Sequence, residues 1–371
     1  MQNKKVFIVA GELSSDTYAA NLVKSIKLIN PAIDFYGLGG KKMSDVGVKI
    51  YHNLVDLAVV GFFEVLKNYP KFKAIFNDTL SIIDILKPDC IILIDYPGFN
   101  LRLAKEIKKR KIKIIYYISP QVWAWGKGRI KLIKKYVDKI LVIFKFEEDF
   151  YKKYGIDATF VGHPLLEFLP KYIKQSSENK IAVLPGSRIK EINFNLPIML
   201  KSIRLIKEQL PLYKFVLIKT PTVAQTEFDK FLNRLDTNIE IVEKNHYEEF
   251  SKCSFAIVAS GTATVETAIL EIPFVIVYRI SNLTAFFLKH MIKIPYIGMV
   301  NILAGKKIIE EFLQEKAIPE KIADYTINIL NNPVEIIKIK YALKNIKGIL
   351  QYSPNTSASE TAAKIILQQI S

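Results

Sequence analysis

The chain has only two cysteines among 371 residues, and no window reaches the ~18 uninterrupted apolar residues of a membrane span. Each shortage removes a class of protein. Cys90 and Cys253 lie in or beside apolar runs without metal-ligand spacing, so a disulfide framework and a cysteine metal site are excluded, and buried thiols in a reducing compartment are expected. Glycine and proline, 16 each, are too sparse for a low-complexity or disordered chain. Lys4 and Lys5 precede the apolar run Val6 to Ala10, but Glu12 and Asp16 stop it short of a signal-peptide core. The expected location is therefore the cytosol or a membrane surface.

The hydrophobic fraction, 50%, supports a large core, and the length fits two domains of ~150–200 residues. A net charge of +17 is partly a matter of composition, because Lys and Ile are both abundant here, as an AT-rich genome supplies them. It is also concentrated. Residues 101–153 hold 16 Lys or Arg against 5 Asp or Glu, so either a basic face for an anionic partner or a solvated surface is expected there.

Short apolar runs alternate with amphipathic stretches, the pattern of parallel sheets with crossover helices. Strands are expected at 5–10, 33–37, 89–95, 112–118, 139–143 and 158–161. After a polar, aperiodic linker at 170–179 they restart at 180–184, 214–218, 239–242, 255–259 and 273–277. Helices are expected between them, and the tail reads as helices at 334–347 and 356–370. The reading is α/β: two doubly wound Rossmann-like domains facing a cleft, with C-terminal helices. The domains are placed at 1–169 and 180–345, with 346–371 a helix returning to the first. Ligands of such folds sit outside the carboxyl ends of the strands.

Two turns have anion-binding character. Lys180-Ile-Ala-Val-Leu-Pro-Gly-Ser-Arg188 reads as a buried strand entering a turn that opens a helix, with Gly186 admitting close approach, Ser187 suited to an N-cap and Arg188 supplying charge. Phe255-Ala-Ile-Val-Ala-Ser-Gly-Thr262 repeats the logic. Together they point to a nucleotide diphosphate. The bland alternative for Arg188 is a surface ion pair, which would not need a Gly-Ser turn.

Several motifs occur in one order: Ala10-Gly-Glu-Leu-Ser-Ser-Asp16, Asp95-Tyr-Pro-Gly-Phe-Asn100, Ser119-Pro-Gln-Val-Trp-Ala-Trp-Gly126, Val161-Gly-His-Pro-Leu165, Leu184-Pro-Gly-Ser-Arg188 with Glu191-Ile192, Ser260-Gly-Thr-Ala263 with Glu266, and Asn301 before Leu303-Ala-Gly305. By this ordered set the chain resembles, over nearly its full length, the lipid-A-disaccharide synthase family, inverting glycosyltransferases of the two-Rossmann-domain (GT-B) type. One position departs from the family pattern: Ser15 stands where a turn glycine is usual. The resemblance implies transfer from UDP-2,3-diacylglucosamine to the 6-hydroxyl of 2,3-diacylglucosamine 1-phosphate (lipid X), giving the β-1,6 lipid A disaccharide precursor and UDP. No metal or cofactor is implied. The implied partners are those two lipids and the anionic inner face of the bacterial inner membrane, without nucleic acid; whether the chain is a homodimer stays open.

Asp95 ends an apolar run, so it should project from the carboxyl edge of a strand as the base that takes the acceptor proton; an aspartate capping the next helix is the plain alternative. Glu12, after the first strand, is the rival base, or a carboxylate answering the helix dipole. Gly186, Ser187, Arg188, Ser260, Gly261, Thr262 and Glu266 are assigned to the UDP-sugar, with Glu266 accepting from ribose hydroxyls. Asn301 and Gln314 join them through the resemblance. Ser14, Asp16, Asn100, Gln121, Trp123 and His163 are assigned to the acceptor cleft, although Trp123 also suits a core and His163 a structural role. Residues 58–75 combine apolar side chains with lysines, which fits either a membrane-docking surface through Val60, Phe62, Phe63 and Leu66 or an ordinary buried helix. Two rival functions stand beside this glycosyl transfer. A UDP-N-acetylglucosamine 2-epimerase shares the fold but needs no lipid-binding surface, and a basic membrane- or RNA-binding protein would leave both phosphate-type turns unused.

Overall fold

The computed structural model describes residues 3–55, 69–124, 126, 128–169, 178–220, 223–232, 238–243, 246–281, 285 and 295–370. They belong to two compact units, one comprising Met1–Glu167 with Leu350–Ser371 and the other Phe168–Ile349.

The first unit is built on a parallel sheet of β1 (Lys4–Ala10), β2 (Ile33–Gly39), β3 (Lys49–Asn53), β4 (Cys90–Ile94), β5 (Lys113–Tyr117), β6 (Lys139–Val142) and β7 (Ala158–Phe160), in the order β3-β2-β1-β4-β5-β6-β7. The winding reverses between β1 and β4, which are hydrogen-bonded neighbours with Ala10 opposite Ile94. Side chains of the central strands are fully buried, as expected when helices cover both faces. On one face Phe7, Val9, Leu93, Tyr116 and Val142 form a core with Leu103 and Ile107 of the helix Pro97–Lys108. The last helix, Ala358–Ile370, belongs to this unit: Ser25 Oγ donates to Ser359 Oγ at 3.1 Å, and the Glu167 carboxylate accepts from Ser359 N and Oγ at 2.8 and 2.6 Å.

The second unit repeats the plan with β8 (Glu178–Leu184), β9 (Lys214–Ile218), β10 (Ile239–Val242), β11 (Cys253–Ala259), β12 (Phe274–Tyr278) and β13 (Glu311–Leu313), ordered β10-β9-β8-β11-β12-β13 and parallel throughout. Its winding reverses between β8 and β11. Both sheets therefore have the doubly wound order in which ligands bind at the reversal.

Three elements escape the hydropathy pattern. β3 (Lys-Ile-Tyr-His-Asn) and β13 (Glu-Phe-Leu) are short edge strands, half-exposed and of mixed composition, so neither shows the continuous apolar run of an inner strand. The short helix Lys41–Asp45 has no cap of its own and relies on a distant carboxylate, described below. Cys90 and Cys253 are buried free thiols pushed up to about 12 by desolvation, which makes them inert packing groups. No helix among the described residues is long and apolar enough to cross a membrane.

Candidate active site

At the carboxyl edge of the first sheet, β1 runs through Gly11 into the helix Leu13–Ile29, whose N-cap is Glu12. Gly11 is required by packing, because a Cβ there would lie 2.5 Å from the Tyr96 ring. β4 runs into Asp95 and Tyr96, two consecutive non-glycine residues in the left-handed region, at φ 46° and 47°. Ile118, just past β5, is a third at φ 60°, an outlier for a β-branched residue. Such strain persists only when its surroundings over-determine it. Here they do. The Asp95 carbonyl accepts from Asn100 Nδ2 at 2.7 Å and Tyr116 Oη at 2.6 Å, and the Asp95 N–H donates to the carbonyls of Tyr117 and Ile118 at 3.3 and 3.2 Å. The Asp95 side chain is half-buried at this edge, and Glu12 lies near enough for its charge to add to the burial that raises the Tyr96 hydroxyl. The two candidate bases thus flank the reversal point of one sheet.

Several other first-unit candidates are engaged within their own unit. Asn100 is fully buried; its Nδ2 donates to the carbonyls of Ile94 and Asp95 at 3.2 and 2.7 Å, which holds the Asp95 turn, while its Oδ1 is buried without a hydrogen-bond partner among the described residues. Asp16 is 1% exposed; its carboxylate accepts from the backbone N–H of Gly40, Lys42 and Met43 at 2.7, 3.0 and 3.2 Å, which supplies the cap that the helix Lys41–Asp45 lacks. His163 is buried with its Nδ1 accepting from Leu165 N at 3.2 Å, and burial lowers it to about 3, so it is a neutral turn-forming residue. Ser15 lies inside the helix Leu13–Ile29 with no positive φ, so the position makes no demand for glycine. Ser14 and Gln121 are exposed.

Trp123 is half-buried, packed edge-on against Phe146 at 4.9 Å, and its Nε1 donates to Glu147 Oε1 at 3.0 Å. Glu147 itself is 1% exposed, accepts also from Phe144 N at 3.3 Å, and is raised to about 8 by desolvation. Nothing in Lys-Phe-Glu-Glu-Asp marks this glutamate as buried, since the run reads as a solvated first helical turn. Val60, Phe62, Phe63, Leu66 and Trp125 lie outside the described residues.

At the carboxyl edge of the second sheet, β8 leads through Pro185 to Gly186 at φ 121°, then Ser187 and Arg188. The N-cap of the helix Ile189–Gln209 is Arg188, not Ser187 as the residue types suggest. The Ser187 N–H donates to Glu191 Oε2 at 3.0 Å, and Arg188 Nη1 meets Glu191 Oε1 at 3.3 Å. A Cβ on Gly186 would come 2.7 Å from that carboxylate, so the turn already wraps an anion of its own chain. The neighbouring β11 ends in Ser260 and Gly261, the latter at φ 147° and N-cap of the helix Thr262–Ile269. Ser260 is half-buried, and Gly261 and Thr262 are exposed. Glu266 is half-buried, accepts from Tyr247 Oη at 3.2 Å, and is raised to about 7 by desolvation, the tyrosine bond offsetting part of the rise.

Asn301 does not fit a ligand contact. It is fully buried; Nδ2 donates to Ile309 O and Glu311 Oε1, both at 2.8 Å, while Oδ1 accepts from Ile308 N and Ile309 N at 2.8 and 2.9 Å. With its polar atoms so engaged, it fastens the helix Met299–Ala304 to the start of β13. Gln314 follows β13 in the left-handed region, φ 49°, half-exposed at the same edge as the other turns. No group of three or more potential metal ligands occurs among the described residues.

Two Rossmann-like units, each with glycine turns or a clamped carboxylate at its reversal point, define an α/β protein of the fold that sugar-nucleotide enzymes share. A UDP-N-acetylglucosamine 2-epimerase from Neisseria meningitidis solved with UDP-GlcNAc has this fold, at TM-score 0.61 and 13% identity over 99% of each chain. So does the spinosyn rhamnosyltransferase SpnG, at TM-score 0.63 and 11% identity over 98% of this chain and 100% of that one. At such identities the likeness speaks for the fold alone. The family model described as lipid-A-disaccharide synthetase matches residues 6–366. The lipid-A-disaccharide synthase of Coxiella burnetii (strain Dugway 5J108-111) is 38% identical over 342 residues, 90% of each chain. The chain belongs to the lipid-A-disaccharide synthase family.

Proposed function

We propose that this chain is an inverting hexosyltransferase that joins UDP-2,3-diacylglucosamine to lipid X and releases UDP. In the transfer, the acceptor 6-hydroxyl oxygen bonds to the anomeric carbon from the face opposite the diphosphate. The bond from that carbon to the phosphate oxygen breaks, its electron pair leaves with UDP, and the hydroxyl proton passes to a carboxylate. Asp95 is the proposed base. The observation that carries this is the four-bond clamp on its strained backbone, which fixes a carboxylate at the edge where such folds do chemistry. Glu12 is its neighbour and the alternative.

The diphosphate is assigned to Gly186, Ser187 and Arg188, with Ser260, Gly261 and Thr262 as further turn donors. UDP would displace the Glu191 carboxylate from the Ser187 N–H and take up the Arg188 charge, and that charge stabilises the leaving group as its negative charge grows. Glu266 and Gln314 are proposed to bind the nucleotide from their strand ends. Asn301 and Asn100 act one step back, as positioning residues.

Diacylated substrates place the enzyme at a lipid interface, and we assign it to the inner face of the inner membrane. Residues 58–75 and part of the 101–153 stretch are the proposed contact. Several cations of that stretch are already matched, since Lys108, Lys109, Arg110, Lys139 and Lys145 pair with carboxylates. The function is tested by incubating purified protein with both lipids: UDP release requiring donor and acceptor together supports it, and release indifferent to the acceptor refutes transfer.

A further inference from the structure

The helix Pro333–Ile349 of the second unit is apolar on two faces. Ile339, Leu343 and Ile346 are buried, whereas Val334, Ile337 and Tyr341 are 62%, 67% and 68% exposed. These three recur at i, i+3 and i+7, one stripe along the solvent side, with Ile349 exposed near its end. Leu28, Ile85 and Leu212 are exposed elsewhere but do not belong to a stripe of this kind, and scattered single residues need no explanation.

The stripe has a charged border. At ~100° per residue, Lys338 and Lys344 fall about 60° to either side of Tyr341. Lys340 and Lys347 lie further round, and the helix carries these four lysines against Glu335 alone. Lys338 leans on Glu335 at 3.2 Å and Lys347 on Glu271 at 3.4 Å; Lys340 and Lys344 have no ion pair among the described residues. An apolar face bordered by lysines is the pattern of a helix lying in a bilayer interface. A second copy of the same face is disfavoured, because pairing two such helices would bring their lysine rows together, whereas an anionic surface is attracted by every one of them.

We propose that this outer face docks on an anionic lipid bilayer, with Val334, Ile337 and Tyr341 entering the interface and Lys338, Lys340 and Lys344 meeting the headgroups. This deepens, and rests on, the reading of the chain as an enzyme of diacylated sugars, and it adds a contact separate in sequence from residues 58–75. The stripe lies on the exposed side of its helix and contains none of the proposed catalytic or UDP-binding residues, so its substitution should leave turnover on detergent-solubilised substrates unchanged.

The test uses the full chain and vesicles of phosphatidylglycerol with phosphatidylcholine, against phosphatidylcholine alone. Ile337→Cys is labelled with an environment-sensitive dye, which attaches at that position because Cys90 and Cys253 are buried. Anionic vesicles should shift the emission to the blue and neutral ones should not. Replacing Val334, Ile337 and Tyr341 together by Ser should weaken vesicle binding by at least about tenfold at high salt. Replacing Lys338, Lys340 and Lys344 by Gln should cost about fivefold per lysine at low salt. A label that stays water-like while the protein sediments fully with anionic vesicles overturns the proposal, as does a dimer in solution that the Ser variant dissociates. Absence of two-substrate turnover in detergent by the wild type would instead refute the proposed function, and the dye result would still decide the docking face.

Discussion

Glu266 makes UDP binding sensitive to pH in a calculable way. Its folded, unliganded carboxyl is raised to about 7 by desolvation, so near neutrality it is half-protonated. If ribose hydroxyls donate to the carboxylate, the bound form favours ionisation and its pKa falls toward the ordinary ~4.3. Binding then releases a proton, and affinity rises with pH. For a free value of ~7, the fraction of ionised protein increases about tenfold from pH 6 to pH 8, and affinity should follow it. UDP has its own ionisation near ~6, as phosphate monoesters do. The ratio of wild-type to Glu266→Gln affinity removes that contribution, because the glutamine does not titrate. Calorimetry in two buffers of different ionisation enthalpy should also count about half a proton released by the wild type at pH 7 and correspondingly fewer by the variant. A ratio that stays flat between pH 6 and pH 8 would refute the ribose assignment and leave Glu266 as a partner of Tyr247 only.

Asp95→Asn should lower kcat by ~10²–10⁴ while leaving UDP affinity near wild type, as expected for loss of a general base; turnover close to normal would transfer the role to Glu12. Arg188→Ala should weaken UDP by ~1.5–3 kcal/mol with little effect on the acceptor, measured by calorimetry with UDP alone. Glu147, raised to about 8 in the fold, binds its proton more tightly there than in the unfolded chain. Its stabilising contribution is thus complete below the unfolded value of ~4.3, declines by ~1.4 kcal/mol per pH unit above it, and is gone once the pH passes the folded value. Denaturant unfolding from pH 6 to pH 9 should show wild type losing stability relative to Glu147→Gln, and parallel curves would mean that the carboxylate is solvated.

Much of this was written in local patterns. Inner strands such as Cys90–Ile94 and Phe274–Tyr278 are continuous apolar runs, and the Gly-Ser-Arg and Ser-Gly-Thr turns announce themselves at the strand ends where they are found. What was hidden depends on hydrogen bonds and burial that exist only once the chain is folded. Asn301 looks like a site residue because its neighbours do, yet its amide is taken up by the backbone of Ile308 and Ile309 and the Glu311 carboxylate, and the Asn100 Nδ2 is taken up by the carbonyls of Ile94 and Asp95. Asp16 caps a helix that begins 25 residues later, at Lys41. Neither the burial of Glu147 nor the occupation of the Ser187 turn by Glu191 could be read from composition, since both glutamates stand in first helical turns where an exposed carboxylate is ordinary. The edge strands β3 and β13 were missed because their mixed composition carries no apolar run, whereas β7 and β10, also at sheet edges, stand where the sequence pattern puts them.

Inverting transfer is decided by the product of one reaction, run in EDTA with UDP-2,3-diacylglucosamine and lipid X and resolved by mass spectrometry and NMR. A disaccharide joined through the acceptor's 6-oxygen, with the anomeric carbon inverted to β, should form together with one UDP per disaccharide. An α linkage, or a donor sugar altered at C2 with no disaccharide formed, would contradict it.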